Sequence, residues 1–247
     1  MPKLQKPDLL AKAYDATRKK IQSREIPTAF IYAGQFLYRS IDPTSKYSYL
    51  PEPTPPRDYI PKPTASKLLT SADGDLDLGF RFSGPSGPSN VGRIPHAGGF
   101  YCVQQQQALV NEFTHYSGKN ALWALSGRCV LKIKVLRSML VADLSPHNCD
   151  AERFIRELGK DMWNRMNDPV DCSVARGIGL AVAESGLRGL SVQTVRQSER
   201  SRDEMGDNLV LFVRAGSPIQ EITVEEAWYY PRRTHKVAKY RVAFGAE

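Results

Sequence analysis

Apolar residues recur at helical spacing in four parts of the chain and at alternate positions in several shorter runs. A spacing of three to four residues places apolar side chains on one face of a helix, whereas alternation is typical of a strand with one buried face. The helical pattern predicts helices over residues 7–25, 104–116, 151–166 and 174–186. Runs rich in aromatic and β-branched residues predict strands within residues 29–41, 78–83, 98–103, 123–144, 187–195 and 207–213.

These elements do not alternate regularly as strand, helix, strand. Regular alternation would indicate a doubly wound parallel sheet, so its absence favours the α+β class, with mixed or antiparallel twisted sheets and flanking helices. Residues 42–98 interrupt the pattern with most of the chain's 17 prolines and with many glycines and serines. A connection of this length is typically functional or mobile. We therefore expect an α+β domain that carries a long Pro/Gly-rich insert.

Positive charge is concentrated at the two ends of the chain. The formal net charge is +8, and residues 1–26 and 228–247 each carry half of it, so the segment between them is neutral. A nucleic-acid-binding domain needs a basic face on its folded body, which argues against nucleic acid as a partner of the centre. We expect a basic N-terminal helical extension (1–28), a central domain (29–227) and a basic C-terminal segment (228–247). The basic ends are either docking elements or solvated faces.

Several familiar signals are missing from the sequence. No run of 18 apolar residues occurs, and the N-terminus lacks the apolar core of a signal peptide. We therefore expect no membrane partner and a cytoplasmic site of synthesis and action, with delivery into a target cell as a secreted effector as the alternative. The four cysteines form no C-x-x-C pair and the four histidines lack metal-ligand spacing, so we expect buried thiols and no metal or cofactor. Gly177-Ile178-Gly179 precedes a helical stretch, but Val182 stands where the dinucleotide fingerprint has a small residue.

One ordered set of short motifs carries chemical information. In chain order it consists of Tyr38-Arg39, Gly92-Arg93, Gly99-Phe100-Tyr101, Glu112, Gly186-Leu187-Arg188-Gly189-Leu190-Ser191 and Asn208-Leu209-Val210-Leu211-Phe212. In these motifs, over about 30–226, the sequence resembles the RES family of bacterial toxins. Members of this family consume NAD and resemble ADP-ribosyltransferases in fold. The chain departs from the family pattern at Arg93-Ile94-Pro95, where an aromatic residue and an amide are usual, and in the long insert before it.

The resemblance implies a role for each of these side chains. As catalytic residues it implies Glu112, Arg39 and Ser191, and as substrate-binding residues Arg93, Tyr101, Tyr38 and Asn208. Arginine forks match phosphate oxygens, and a carboxylate stabilises the oxocarbenium-like charge that builds at C1′ when the nicotinamide–ribose bond breaks. An aromatic face over the nicotinamide favours its positive charge. Each side chain also has a structural interpretation, as an ion pair, a core ring or a turn cap.

The resemblance leaves the acceptor of the ribosyl group open. Water would make the protein an NAD glycohydrolase, and inorganic phosphate would make it an NAD phosphorylase. Transfer of ADP-ribose to a protein or nucleic acid is a second enzymatic alternative, which Val110 mildly disfavours because many such transferases have Glu or Gln there. A third alternative is a non-enzymatic protein that binds nucleic acid or an acidic partner through its basic ends, residues 1–26 and 228–247. The resemblance also implies a cognate antitoxin or immunity protein as partner, and NAD as substrate rather than cofactor.

Overall fold

The computed structural model describes residues 7–41, 96–110, 125–145, 148–160, 162–166, 171–192, 208–214, 219–230 and 240–241. Its helices are α1 (Pro7–Gln22), α2 (Cys149–Leu158), α3 (Met162–Met166) and α4 (Ser173–Glu184), and residues 106–110 are also helical. Its strands are β1 (Thr28–Ile31), β2 (Phe36–Ile41), β3 (His96–Val103), β4 (Arg128–Val135), β5 (Met139–Leu144), β6 (Gly189–Val192), β7 (Asn208–Arg214), β8 (Ile222–Tyr230) and β9 (Tyr240–Arg241). Within these ranges, no helix is both long and apolar enough to cross a membrane.

The described strands form one nine-stranded sheet in the order β1-β5-β6-β7-β3-β2-β4-β8-β9. Every neighbouring pair is antiparallel except β5 and β6, which are parallel. A parallel pair requires a long connection, and helices α2 to α4 lie between these two strands along the chain. A mostly antiparallel sheet with helices grouped in one part of the chain is an α+β architecture, so the predicted fold class is confirmed.

The sheet is nearly divided between β2 and β3. Among the described residues only Tyr38 and Val103 are in register there, whereas β2 pairs with β4 along its whole length. Buried side chains from both halves nevertheless meet in one apolar core, which includes Phe100 from one half and Leu37 and Leu131 from the other. We call this shared core the inner core, the side of the sheet that faces it the inner face, and the opposite side the outer face.

Helices cover the outer face of the half formed by β1, β5, β6, β7 and β3. Helices α2 and α4 bury Phe154 and Ile178 against Leu190 of β6. Helix α1 packs on α4 at Gly177, where a Cβ atom would lie 2.4 Å from the Leu10 carbonyl oxygen. Glycine is required for this close approach of two helices. The Gly-Ile-Gly stretch therefore serves helix packing, which agrees with its failure to match a dinucleotide fingerprint.

The basic N-terminal helix is anchored to the rest of the structure. Ala13 and Thr17 are fully buried on one side of α1. The Tyr14 hydroxyl donates to the Glu184 carboxylate of α4, and Lys20 Nζ lies 2.6 Å from the Glu157 carboxylate of α2. The extension predicted over residues 1–28 is thus attached through an apolar side, and exposed lysines and arginines lie on its other side.

The structure corrects several sequence expectations. Three of the four cysteines are buried as expected, but Cys149 is exposed because it lies on the first turn of α2. The helix predicted over 151–166 is two helices, because Gly159 adopts a φ of +156°, a conformation that L side chains rarely adopt. Strand β8 is missing from the predicted elements, and the boundary predicted after residue 227 falls inside it. Its pairing with β4 continues to Tyr230, so the sheet extends into the segment predicted as a separate basic end. The strand predicted at 78–83 lies outside the described residues.

Candidate active site

The predicted site residues are only partly included in the described structure. The described ones are Tyr38, Arg39, Tyr101, Ser191 and Asn208. Arg93 and Glu112 lie outside the described residues. The five described residues lie on β2, β3, β6 and β7, which are consecutive in the sheet.

Arg39 lies at the division between the two halves of the sheet. On one side it is in register with Leu131 of β4. On the other side, where β2 and β3 diverge, its Nη1 donates to the Tyr101 carbonyl oxygen at 3.3 Å. The guanidinium carbon also lies over the Phe100 ring, 4.2 Å from its centroid. Arg39 is only 2% exposed. Its two contacts fix the plane of the buried, charged guanidinium, and a guanidinium held in one plane suits paired hydrogen bonds to an anion.

Cys102, beside Arg39 on the inner face, is unsuited to act as a nucleophile. Its thiol is buried and donates to the Leu209 carbonyl oxygen at 3.6 Å. Burial raises the pKa of this thiol to about 12, although the positive charge of Arg39 acts in the opposite direction. The thiolate is the reactive form of cysteine, so Cys102 serves packing.

Ser191 follows a turn that depends on two glycines. Gly186 has a φ of +87°, which ends α4 without the strain that a side chain would suffer. At Gly189 a Cβ atom would lie 2.2 Å from the Val210 carbonyl oxygen, so a side chain would force β6 and β7 apart. Ser191 is then in register with Leu209 and is 5% exposed. The glycine spacing in this motif therefore has a steric cause.

Arg39 and Ser191 project from the same face of the sheet. Ser191 is in register with Leu209, and Leu209 with Cys102; both partners belong to the inner core. Arg39 lies next to Cys102, beside the registered pair of β2 and β3. Side chains directly opposite each other on neighbouring strands share a face, so Arg39 and Ser191 project from the inner face. Three strand spacings lie between them, which places their Cα atoms roughly 14 Å apart. The two predicted catalytic residues that the structure describes thus lie at the two ends of one row.

Tyr38, Tyr101 and Asn208 do not share that face. Each is adjacent along its strand to an inner-face residue, and successive strand residues point to opposite faces. Tyr101 packs against the helix-covered core of the outer face. Tyr38 packs in a second outer cluster. The structure therefore does not bring these three side chains together with Arg39 and Ser191.

Phe100 is the aromatic residue that lies beside the buried guanidinium, and it is not among the predicted site residues. It is fully buried in the inner core. Alternation along β3 could have identified it, because only one of Phe100 and Tyr101 can share a face with Arg39.

No metal centre is evident in the described part of the chain, where no group of three or more His, Cys, Asp or Glu side chains is placed to hold an ion. An open groove of about 510 Å³ follows the exposed side of α2 and is lined by Cys149, Glu152, Arg153, Arg156 and Glu157. This groove contains none of the predicted site residues.

A comparison with solved structures supports the same architecture. The chain is similar to a chain in the crystal structure of the M. tuberculosis MbcT–MbcA toxin–antitoxin complex, with a TM-score of 0.50 and 15% identity over 87% of this chain and 92% of that one. At this identity the likeness shows a shared fold, and it extends over most of both chains. No family model and no curated protein matches the sequence.

Proposed function

We propose that the protein is a bacterial toxin that cleaves the nicotinamide–ribose bond of NAD, with water or inorganic phosphate as the acceptor. The observation that carries the proposal is the placement of Arg39. Its buried guanidinium lies at the division of the sheet, where the Phe100 ring and the Tyr101 carbonyl oxygen hold it in place. Arg39 projects from the same face of the sheet as Ser191. Both residues come from the ordered motifs that resemble the RES family. A fold shared with a chain of a toxin–antitoxin complex is consistent with this function.

Arg39 suits the pyrophosphate of NAD. The Tyr101 carbonyl and the Phe100 ring fix the plane of the guanidinium, and a fixed fork makes directional hydrogen bonds to phosphate oxygens. The surrounding apolar core lowers the local dielectric constant, which strengthens attraction to an anion. Ser191, at the other end of the row, suits a hydrogen bond to a ribose hydroxyl or to the nicotinamide carboxamide.

Glu112 is the proposed carboxylate of the reaction. As the bond between C1′ and the nicotinamide nitrogen breaks, its electron pair leaves with nicotinamide and the ribosyl ring becomes an oxocarbenium-like cation. The carboxylate stabilises this cation and orients the acceptor. Attack by water on C1′ gives ADP-ribose and a proton, and attack by phosphate gives the 1-phosphate of ADP-ribose. Tyr101 contributes through its backbone carbonyl, which positions Arg39, and its ring is not assigned to the nicotinamide.

The experiment that tests this function is the release of nicotinamide from NAD by the purified protein, with and without phosphate. Release only with phosphate indicates phosphorolysis, and release in both buffers indicates hydrolysis. Glu112→Gln should lower turnover at least about 100-fold, whereas Glu152→Gln, a matched change on the exposed side of α2, should leave it unchanged. A folded wild-type protein that releases no more nicotinamide than Glu112→Gln would contradict the proposal. Label from NAD retained on a protein or nucleic acid would indicate ADP-ribosyl transfer instead.

A cognate antitoxin or immunity protein is the proposed macromolecular partner. Induced expression in bacteria should stop growth and lower the cellular NAD concentration, and co-expression of the product of the neighbouring gene should restore both. Growth arrest at an unchanged NAD concentration would show that the toxicity has another cause.

A further inference from the structure

Asp143 lies beside Ser191 on the inner face of the sheet. β5 and β6 run parallel, and Asp143 and Ser191 are in register at their carboxyl ends. Met139 and Val141, at every second position before Asp143, both belong to the inner core, so the Asp143 side chain projects from that face. Asp143 therefore extends the row of Arg39 and Ser191 by one strand.

The Asp143 carboxylate is held by two donors from the turn that follows β5. The Ser145 backbone N–H donates to Oδ1 at 3.2 Å, and Asn148 Nδ2 donates to Oδ2 at 3.0 Å. Asn148 in turn caps α2 by accepting from the Asp150 N–H at 3.0 Å. Each carboxylate oxygen has about two acceptor positions, so each retains one for a ligand. The side chain is half-buried, which makes it both fixed and reachable.

We propose that Asp143 binds the paired 2′ and 3′ hydroxyl groups of a ribose of the dinucleotide. This assignment rests on the proposed NAD activity. Two neighbouring hydroxyls match the two oxygens of one carboxylate, and acidic side chains recognise ribose hydroxyls in dinucleotide sites of other folds. Asp143 is a substrate-binding residue and takes no part in bond cleavage.

Asp143 also orders the turn before α2, so the variants must separate the two roles. Asp143→Asn removes the charge and keeps the shape, and Asp143→Ser keeps a short oxygen acceptor for the Ser145 N–H. Asn148→Ala breaks the same turn and the helix cap but leaves the carboxylate. Asp150→Asn removes an exposed carboxylate on the first turn of α2 and controls for charge.

The test compares NAD with two analogues, one lacking the 2′-hydroxyl of the nicotinamide ribose and the other lacking that of the adenosine ribose. Both Asp143 variants should raise the KM for NAD about tenfold and change kcat little, because a charge-assisted hydrogen bond is lost equally in the ground and transition states. They should raise the KM less for the analogue that lacks one of the two bound hydroxyls than for NAD, which identifies the ribose, because one of the two hydrogen bonds to Asp143 is already absent there. Asn148→Ala and Asp150→Asn should keep the wild-type ratio of KM values between NAD and the analogues.

The outcomes distinguish the assignment from the activity on which it rests. Wild-type KM values in the Asp143 variants would overturn the assignment and leave NAD cleavage intact. An increase in KM that is equal for NAD and both analogues would also overturn the assignment, because disorder of the turn before α2 would produce such an increase. If the wild-type protein releases no nicotinamide, the proposed function fails and the assignment fails with it. Thermal unfolding identifies a variant that does not fold, and Asp143→Ser then replaces Asp143→Asn.

Discussion

Replacing Arg39 with methionine separates the contacts that this side chain makes within the fold from its proposed role with NAD. Methionine is unbranched, follows the path of the arginine stem and carries no charge. The variant loses the Nη1 hydrogen bond to the Tyr101 carbonyl and the contact of the guanidinium with the Phe100 ring. The surrounding inner core stays apolar and can accommodate a thioether.

The two effects differ in size. The lost hydrogen bond and the lost cation–π contact each contribute about 2 kcal/mol at a buried site. They are offset by the desolvation of a buried charge, which costs several kcal/mol and which methionine avoids. The free energy of unfolding should therefore change by no more than about 2 kcal/mol. The kcat/KM for NAD should instead fall at least about 100-fold, because a fixed charged donor to the substrate is removed from a dry site.

Urea unfolding measures the first quantity and nicotinamide release measures the second. The matched control is Arg176→Met, which removes an arginine that is 1% exposed from α4 on the other side of the sheet. Turnover per folded Arg176→Met molecule should stay within about twofold of wild type, since distant sites act independently. A folded Arg39→Met variant that cleaves NAD at the wild-type rate would refute the reasoning, as would an activity loss no larger than its unfolded fraction.

Two further predictions concern packing and burial. Gly177→Val should lower the free energy of unfolding by about 1–3 kcal/mol, because its Cβ would meet the Leu10 carbonyl oxygen at 2.4 Å; an unchanged urea midpoint would show that α1 and α4 have room to separate. A thiol reagent at about pH 8 should label exposed Cys149 in the native protein and leave Cys102 and Cys129 unmodified, because burial raises the pKa of both thiols to about 12 and their thiolate fraction rises only as the pH approaches that value. Mass spectrometry measures the labelling, and rapid modification of Cys102 would be inconsistent with its burial.

The α+β class and most strands could be predicted because they depend on local pattern. Strand β8 could not, because its alternation changes phase. Ile222 and Val224 are buried, and then Ala227 and Tyr229 are buried. The register with β4 shifts between Lys132 and Ile133, so an additional residue of β8 is accommodated there. A bulge of this kind interrupts the two-residue period by which a strand is recognised in a sequence.

The candidate site could be predicted only in part, for a related reason. Motifs that resemble a family identify positions along the chain, whereas the face that each side chain occupies depends on alternation within the strand. Tyr38 and Arg39 are neighbours in sequence and therefore project from opposite faces. Asp143 and Ser191 are distant in sequence and become neighbours only because β5 and β6 run parallel. No local pattern indicates that pairing.

The release of nicotinamide from NAD, compared between the wild-type protein and Ser191→Ala, tests the central claim that the protein cleaves NAD and that the inner-face row binds this substrate. The wild type should release many equivalents per protein molecule. Ser191→Ala should release nicotinamide at least about tenfold more slowly with an unchanged unfolding curve, because one hydrogen bond to the substrate is lost. Ser23→Ala, at an exposed site after α1, should behave as wild type. A folded wild-type protein that leaves NAD intact both with and without phosphate would contradict the claim.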